Sequence, residues 1–293
     1  MNSALRLALF AALPFLAQPA FAQEDQQAEG LFARSDRGEE GSVYDDTWLA
    51  VGFGARLGPS YPGSDDTEFN AFPVIAGSIN NIDFTPRAAG LAVDVFQFDI
   101  APNVRIDGGP VGRVRFTRTG GFKDPVVEAA GKLDEAVELG AQFGVTFKRI
   151  FSQYDRISIG ADIRWDVAGA HGGMIFDPGI SYRTPLSRGV LVSASAGADY
   201  ASDGFSDYYF SVNPQQAADS GLPLYTADGG WYKAGGSLGL AVDLDGNAEN
   251  GGLIFGVLGS YSRMLGDGGD TPFTNIRGER DQWSLAGGLG YVF

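Results

Sequence analysis

The chain has 293 residues, 44% hydrophobic and 19% charged, with 43 glycines, one histidine and no cysteine. A formal charge of −15 and the lack of any Lys/Arg run exclude a nucleic-acid partner, whose recognition needs a basic face. Missing cysteine removes disulfides, thiolate zinc sites, iron–sulfur clusters and thiol nucleophiles, and a single histidine removes histidine-rich metal centres.

The chain opens on an address. Arg6 supplies a positive start, Leu7–Leu16 a short apolar run, and Ala20-Phe21-Ala22 a small-x-small cleavage site, so residues 1–22 read as a secretory signal peptide cut after Ala22. Residues 23–46 are acidic, polar and nearly without aliphatic side chains. They cannot bury enough apolar surface to offset ordering, and read as a flexible periplasmic arm. The remaining chain, 47–293, has no run of 18 apolar residues and so no transmembrane helix.

From Trp48 onward apolar and polar residues alternate. Ile157, Ile159, Ala161, Ile163, Trp165 and Val167 share one face; Ser158, Gly160, Asp162, Arg164 and Asp166 share the other. The same comb runs through 139–147, 174–182, 190–200, 232–244, 253–261 and 283–293. These strands reach the ~9–11 residues that cross a bilayer, against the ~5–6 usual in soluble sheets. The fold class expected is all-β: a transmembrane antiparallel up-and-down β-barrel whose apolar face meets lipid and whose polar face lines the lumen.

The spacing predicts twelve strands near 47–58, 68–79, 81–86, 89–95, 97–106, 138–149, 157–168, 173–183, 189–200, 231–244, 252–265 and 282–293. Short connections (150–156, 185–188, 245–251) alternate with long ones (107–137, 201–230, 266–281), which places both termini in the periplasm. Residues 111–118 are read as loop or strand extension, because a thirteenth strand alone would make the count odd. Glycines 160, 179, 197, 239 and 288 on the polar face fit a curved interior, and Trp48, Trp165, Trp231 and Trp283 fall where aromatic girdles belong. Gly288, Tyr291 and the terminal Phe293 match the C-terminal signal by which such barrels are recognised for assembly.

Chemistry is sparse. His171 lies in a short outer turn with Asp166 and Asp177 nearby in sequence. It reads as a turn residue, because a base needs a nucleophile within reach. Asp243-x-Asp245-x-Asn247 starts like a calcium loop but has Ala248 and Ile254 where glycine and glutamate are required, so it reads as a periplasmic turn. Residues 52–58 have the wrong glycine spacing for a dinucleotide loop. Asp199, Asp203, Asp207, Asp219, Asp228, Asp267, Asp270 and Glu279 are expected as a solvated outer rim. Asp162, Arg164, Asp166, Arg183, Lys148, Lys233 and Asp243 are expected inside, bridging part of the lumen. Pro at a first helical position, an Ala-rich middle and a Gly stop predict a short helix over 214–221. Nothing asks for a cofactor or a metal.

Residues 207–226 (DYYFSVNPQQAADSGLPLYT) resemble the loop signature of the MipA/OmpV outer-membrane proteins, carried by Tyr209, Phe210, Val212, Pro214, Ala217, Ser220, Gly221 and Leu222. Similar elements are 58–63 with Asp65-Asp66, Phe72-Pro73, 134–140, 261–272 and 280–282, so the resemblance covers roughly 45–293. It implies a barrel of the Gram-negative outer membrane, set in lipid and lipopolysaccharide and inserted by the barrel-assembly machinery. It also implies a non-enzymatic scaffold between a lytic murein transglycosylase and a penicillin-binding synthase. Alternatives are a small-solute pore, a surface adhesin, or a hydrolase centred on His171. Twelve strands leave a bore between the filled eight-stranded barrel and the open sixteen-stranded porin.

Overall fold

The computed structural model describes residues 42–45 and 47–293. The signal peptide and all but four residues of the arm lie outside the described residues. Alternation becomes twelve wall strands: β1 (Trp48–Pro59), β2 (Thr67–Ile79), β3 (Ile82–Arg87), β4 in two segments (Gly90–Asp94 and Phe96–Ala101), β5 (Val104–Arg115), β6 (Ala136–Lys148), β7 (Arg156–Asp166), β8 (Met174–Ser187), β9 (Val190–Ala201), β10 (Gly230–Asp243), β11 (Gly252–Met264) and β12 (Asp281–Val292). Each pairs antiparallel with the next, and β12 closes on β1 from Ala50↔Val292 to Leu57↔Leu285. Closure removes the sheet edges that lipid cannot hydrogen-bond. Among the described residues no helix is long and apolar enough to cross a membrane.

The alternation sorts the side chains as a membrane wall requires. On β10 Leu238 is 69% exposed on the outside while its neighbour Ser237 is 8% exposed and faces the lumen. Glycines occupy inward positions where a Cβ would strike the wall: one on Gly140 would lie 1.8 Å from the Ile163 carbonyl oxygen. The inner turns are tight. Asn80 and Asn81, at φ 54° and 63°, join β2 to β3 in the primed geometry that two-residue hairpins favour.

Three details of the wall differ from the sequence expectation. The expected strands 89–95 and 97–106 are not two strands: the two β4 segments lie end to end along β5 as one, joined at Val95, whose N–H still reaches the Gly108 carbonyl at 3.0 Å, and past a turn at 102–103 residues 104–106 already belong to β5. A one-residue shift of register there breaks the alternation and gives the sequence the look of two strands. Residues 104–115 form the complete strand β5, so the run from 111 is wall rather than loop, and the count stays even because the two β4 segments merge. Its Gly108-Gly109-Pro110 stretch hides the period. Trp48 is the third. At 7% exposure it faces the lumen with Ala50, and Tyr44 packs edge-on against it at 5.0 Å; Trp165, Trp231 and Trp283 are the outward ones.

The seam between β2 and β3 is the thinnest part of the wall. β3 joins β2 only through Ile79↔Ile82, Ser78↔Asp83 and Gly77↔Phe84. Above it, Thr67–Ala76 of β2 are laddered to β1 on one side, and Pro73 and Pro86, which have no N–H to donate, border the seam.

Candidate functional site in the lumen

The outer loops fold inward and pack over the end of the barrel. Four short helices matter here: α1 (Pro125–Ala129), α2 (Asp203–Phe210), α3 (Pro214–Ser220) and α4 (Gly266–Asp270), with α5 (Pro272–Asn275) following. Helix α2 drops Phe205, Tyr209 and Phe210 onto Ile175, Tyr232 and Met264, all buried. Above them Val212 and Leu222 meet Tyr61, Val127 and Phe273. Tyr232 reaches this cluster through a bulge on β10 opposite Asp199/Tyr200, which turns it inward although strict alternation would send it to lipid.

The loop motif is the heart of this cap. Tyr209 is 2% exposed, and Phe210, Val212 and Leu222 are also buried. The predicted helix is present as α3: Asn213 accepts from the Gln216 N–H at 2.9 Å, Gln216 returns the bond at 3.0 Å, and Pro214 takes the first turn. Gly221 ends it at φ 75°, the left-handed conformation that glycine adopts without strain. Ala217 packs at the cluster's edge, and Ser220 bonds back to the Gln216 carbonyl at 2.5 Å and receives the Leu222 N–H at 3.2 Å.

Arg118 is buried in the cap, its guanidinium 3.6 Å from the centre of the Phe273 ring and its Nη1 donating to the Tyr209 carbonyl at 3.1 Å. Burial pulls its pKa down to about 10, against the charge-favouring influence of Tyr61 and Tyr208. Tyr61 beside it is pushed up to about 12, chiefly by burial.

Beneath the cap lies a charge network. Glu138 on β6, with no exposed side-chain surface, meets Arg115 at 2.5 Å, Arg113 at 3.2 Å and Arg164 at 3.3 Å. Arg164 continues to Asp162 at 3.1 Å and to Asp177, and Arg87 joins Asp162 at 2.8 Å. Phe205 covers the Arg115 guanidinium at 4.8 Å. The bridging expected of Asp162 and Arg164 is therefore present. Arg113, Arg115 and Glu138 were not singled out in the sequence; the alternation Val111-x-Arg113-x-Arg115 is the signal that marks them as inward.

His171 belongs to this network as a structural group. Its Nε2 lies 3.4 Å from Glu138 Oε1, its Nδ1 accepts the Gly173 N–H at 3.0 Å, and its ring packs edge-on against Phe205 at 5.1 Å. Asp166 holds the turn: its carboxylate accepts N–H bonds from Ala168, Gly169, His171 and Gly172 at 2.8 to 3.2 Å. Asp177 is committed to Arg164.

The acidic rim is less of a rim than expected. Asp199 lies inside, 2.5 Å from Lys233. The inward face of β9 carries it there. Others stitch loops: Asp267 accepts the Tyr225 hydroxyl at 2.8 Å and the Asp228 N–H at 2.6 Å, Asp203 accepts the Gly229 N–H at 2.8 Å, Asp207 the Ser211 hydroxyl at 2.7 Å, and Asp270 pairs with Arg280. Asp219 receives Gln215 Nε2 at 2.7 Å on α3, and the Glu279 N–H donates to the Gly63 carbonyl at 2.8 Å. Asp243, Asp245 and Asn247 form a turn in which the carboxylates accept backbone N–H groups at 3.0 to 3.1 Å. Among the described residues no group of three or more His, Asp or Glu side chains is arranged to hold a metal.

At the C-terminus Tyr291 and Phe293 point outward, their rings 4.6 Å apart, while Gly288 faces inward between Gly54 and Gly256.

No curated protein matches the chain. Among solved structures it is similar to the NanC porin (10% identity, 83% of this chain and 98% of that one, TM-score 0.42). It is also similar to an outer-membrane channel from Pseudomonas putida F1 (12%, 85% and 96%, TM-score 0.41) and to the Pseudomonas putida toluene transporter TodX (9%, 94% and 99%, TM-score 0.39). The family model described as MltA-interacting protein MipA matches residues 51–293, nearly the whole described barrel, and the chain belongs to that family of the Gram-negative outer membrane.

Proposed function

We propose that this barrel is a non-enzymatic scaffold whose periplasmic end engages murein-remodelling enzymes, a lytic transglycosylase and a penicillin-binding synthase. The observation that carries this reading is the closely packed cap at the outer end. A cap whose core residues Tyr209, Val212 and Phe273 are at most 2% exposed leaves the inner turns and the arm of residues 23–46 as the surfaces for partners. The family description names an MltA-interacting protein, which supports a transglycosylase as one partner. His171 is occupied by Glu138 and the Gly173 N–H, which favours a role without hydrolysis. Lipid and lipopolysaccharide surround the wall, and Gly288, Tyr291 and Phe293 present the C-terminal strand to the assembly machinery.

Affinity capture from envelope extract, with the full mature chain and with a chain lacking residues 23–46, tests the scaffold. Retention of a murein enzyme supports it, and retention of none by either form overturns it. A solute channel is the second reading, favoured by the polar lumen beneath the cap. Planar-bilayer recording separates the two: the scaffold reading expects no steady conductance, and stepwise openings establish the channel.

A further inference from the structure

The inner turn between β10 and β11 carries a side-chain oxygen at every second position: Asp243, Asp245, Asn247 and Glu249, with Asn250 after them. It is not the twelve-residue calcium loop, because Ala248 and Ile254 stand where that loop needs glycine and glutamate. Its first half is folded back on itself. Asp243 Oδ1 accepts the N–H groups of Asp245 and Asn247 at 3.0 and 3.1 Å, and Asp245 Oδ1 accepts the Asn247 N–H at 3.0 Å. The turn is also held from both sides. Asp243 and Ala248 donate their N–H groups to the Gly189 and Arg188 carbonyls of the neighbouring inner turn at 2.8 and 3.0 Å, and the Glu249 carbonyl accepts the Val43 N–H at 2.7 Å.

These bonds leave the second oxygen of Asp243 over. The residue is 4% exposed, and Oδ2 is buried with no hydrogen-bond partner. Burying a carboxylate oxygen in that state is costly unless a cation or a donor meets it. Among the described residues neither Asp243 nor Asp245 pairs with a Lys or Arg side chain. The orphan oxygen shares an open spot with Asp245 Oδ2. A Cβ on Gly252, at φ 118°, would lie 3.9 Å from the first and 3.8 Å from the second, with no other atom within 4 Å outside the adjoining residues. Glycine thus leaves a cradle beside two carboxylates, whose like charges repel unless a cation joins them. Asn250 Nδ2 donates to Asp245 Oδ2 at 3.2 Å, and a half-turn of that amide brings its oxygen to the same place. Asp245 and Asn250 are exposed, so the cradle opens to the periplasm.

We propose that this turn is a calcium site of the periplasmic face, held by Asp243 Oδ2, Asp245 Oδ2 and the Asn250 amide oxygen, with water completing the shell. The donor set is all oxygen, as hard divalent cations require, and calcium accepts an irregular shell where magnesium demands a near-octahedral one. Two carboxylates are too few for a high-affinity cage, so the turn belongs with weak extracellular sites, whose dissociation constants are about 10⁻⁴–10⁻³ M. The same turn carries the Val43 contact, so calcium bound there also steadies the point at which the arm joins the barrel. The site stands independently of the scaffold reading, because it requires no protein partner.

Isothermal titration of the full mature chain tests this with calcium chloride, and with magnesium chloride as the comparison. The chain is refolded in uncharged detergent, so that no lipopolysaccharide binds the cation, and stripped with chelator. Calcium is expected to bind at one site in the range of about 10⁻⁴–10⁻³ M, and magnesium more weakly. Hydrogen exchange at 243–252 and 42–45 is expected to slow when calcium is added. Asp243→Asn keeps an oxygen for the Asp245 and Asn247 N–H groups but removes the charge, and loses at least about tenfold in calcium affinity. Heat-modifiable migration verifies that the variant is folded. If it does not fold, Asp245→Asn carries the test. Absent calcium binding up to about 10 mM, equal binding of magnesium, unchanged exchange at 243–252, or undiminished affinity in the variant overturns the proposal.

Discussion

Replacing Glu138 by Gln removes the one carboxylate that three guanidinium groups share. The contacts at 2.5, 3.2 and 3.3 Å are short, and the side chain is fully buried. Each such pair is worth about 5 kcal/mol of Coulomb attraction at an effective dielectric of about 20, most of which offsets the desolvation of the ions. The substitution keeps the shape and discards the charge, so Arg113 and Arg115 lose the carboxylate they share while Arg164 keeps Asp162 and Asp177. Breaking a buried pair from one side costs about 3–5 kcal/mol, and that loss is expected here. Urea unfolding in micelles, followed by the heat-modifiable gel shift, measures it. Adding Arg115→Met is expected to recover part of the loss, because one stranded cation goes with it. A change for Glu138→Gln below about 1 kcal/mol, the scale of an exposed pair, would show that the charges do not act as a unit and refute the reasoning.

Phe205→Ala empties the middle of the cap and is expected to cost about 3–5 kcal/mol, read as faster hydrogen exchange in residues 203–229 than in the wall strands. Gly221→Val places a branched side chain at φ 75°; a loss of about 1–2 kcal/mol is expected, with proteolysis of the loop as readout. Asp124 opposes its burial with a 2.8 Å bond from Arg277 and the Val126 N–H, and its pKa is lowered from the ordinary 3.8. Its contribution is therefore complete above about pH 4 and fades as pH falls through the lowered value. Protease susceptibility of the outer loops should rise with acid in that window, and Asp124→Asn should flatten the response. Arg263→Ala, which breaks an exposed pair with Asp281, is expected to leave the urea midpoint where it was.

Wall and cap differ in how much the residues disclose. An alternating strand must put every second side chain into lipid, so strands such as 157–167 could be read from the period alone, as could the helix over 214–221 from its proline, Ala-rich middle and glycine. Period two gives two faces but does not say which is outside. Trp48 shows the consequence, since its side is fixed by the register of β1 against Val292-containing β12 and by Tyr44. Tyr232 shows another: one extra residue in the strand reverses its side. The charge network was least legible. Arg113, Glu138, Arg164 and Asp177 come from four strands, and only closure of the sheet into a cylinder brings them to one depth.

A cylinder resists sideways pressure through its hoop bonds, and here the hoop is uneven. From β5 round to β2 every strand is laddered along most of its length, whereas the β2–β3 seam is held near one end only. Lateral load from the bilayer therefore concentrates on that seam. The opposite arc, from β6 to β9, is bonded along its length and has no such weak line.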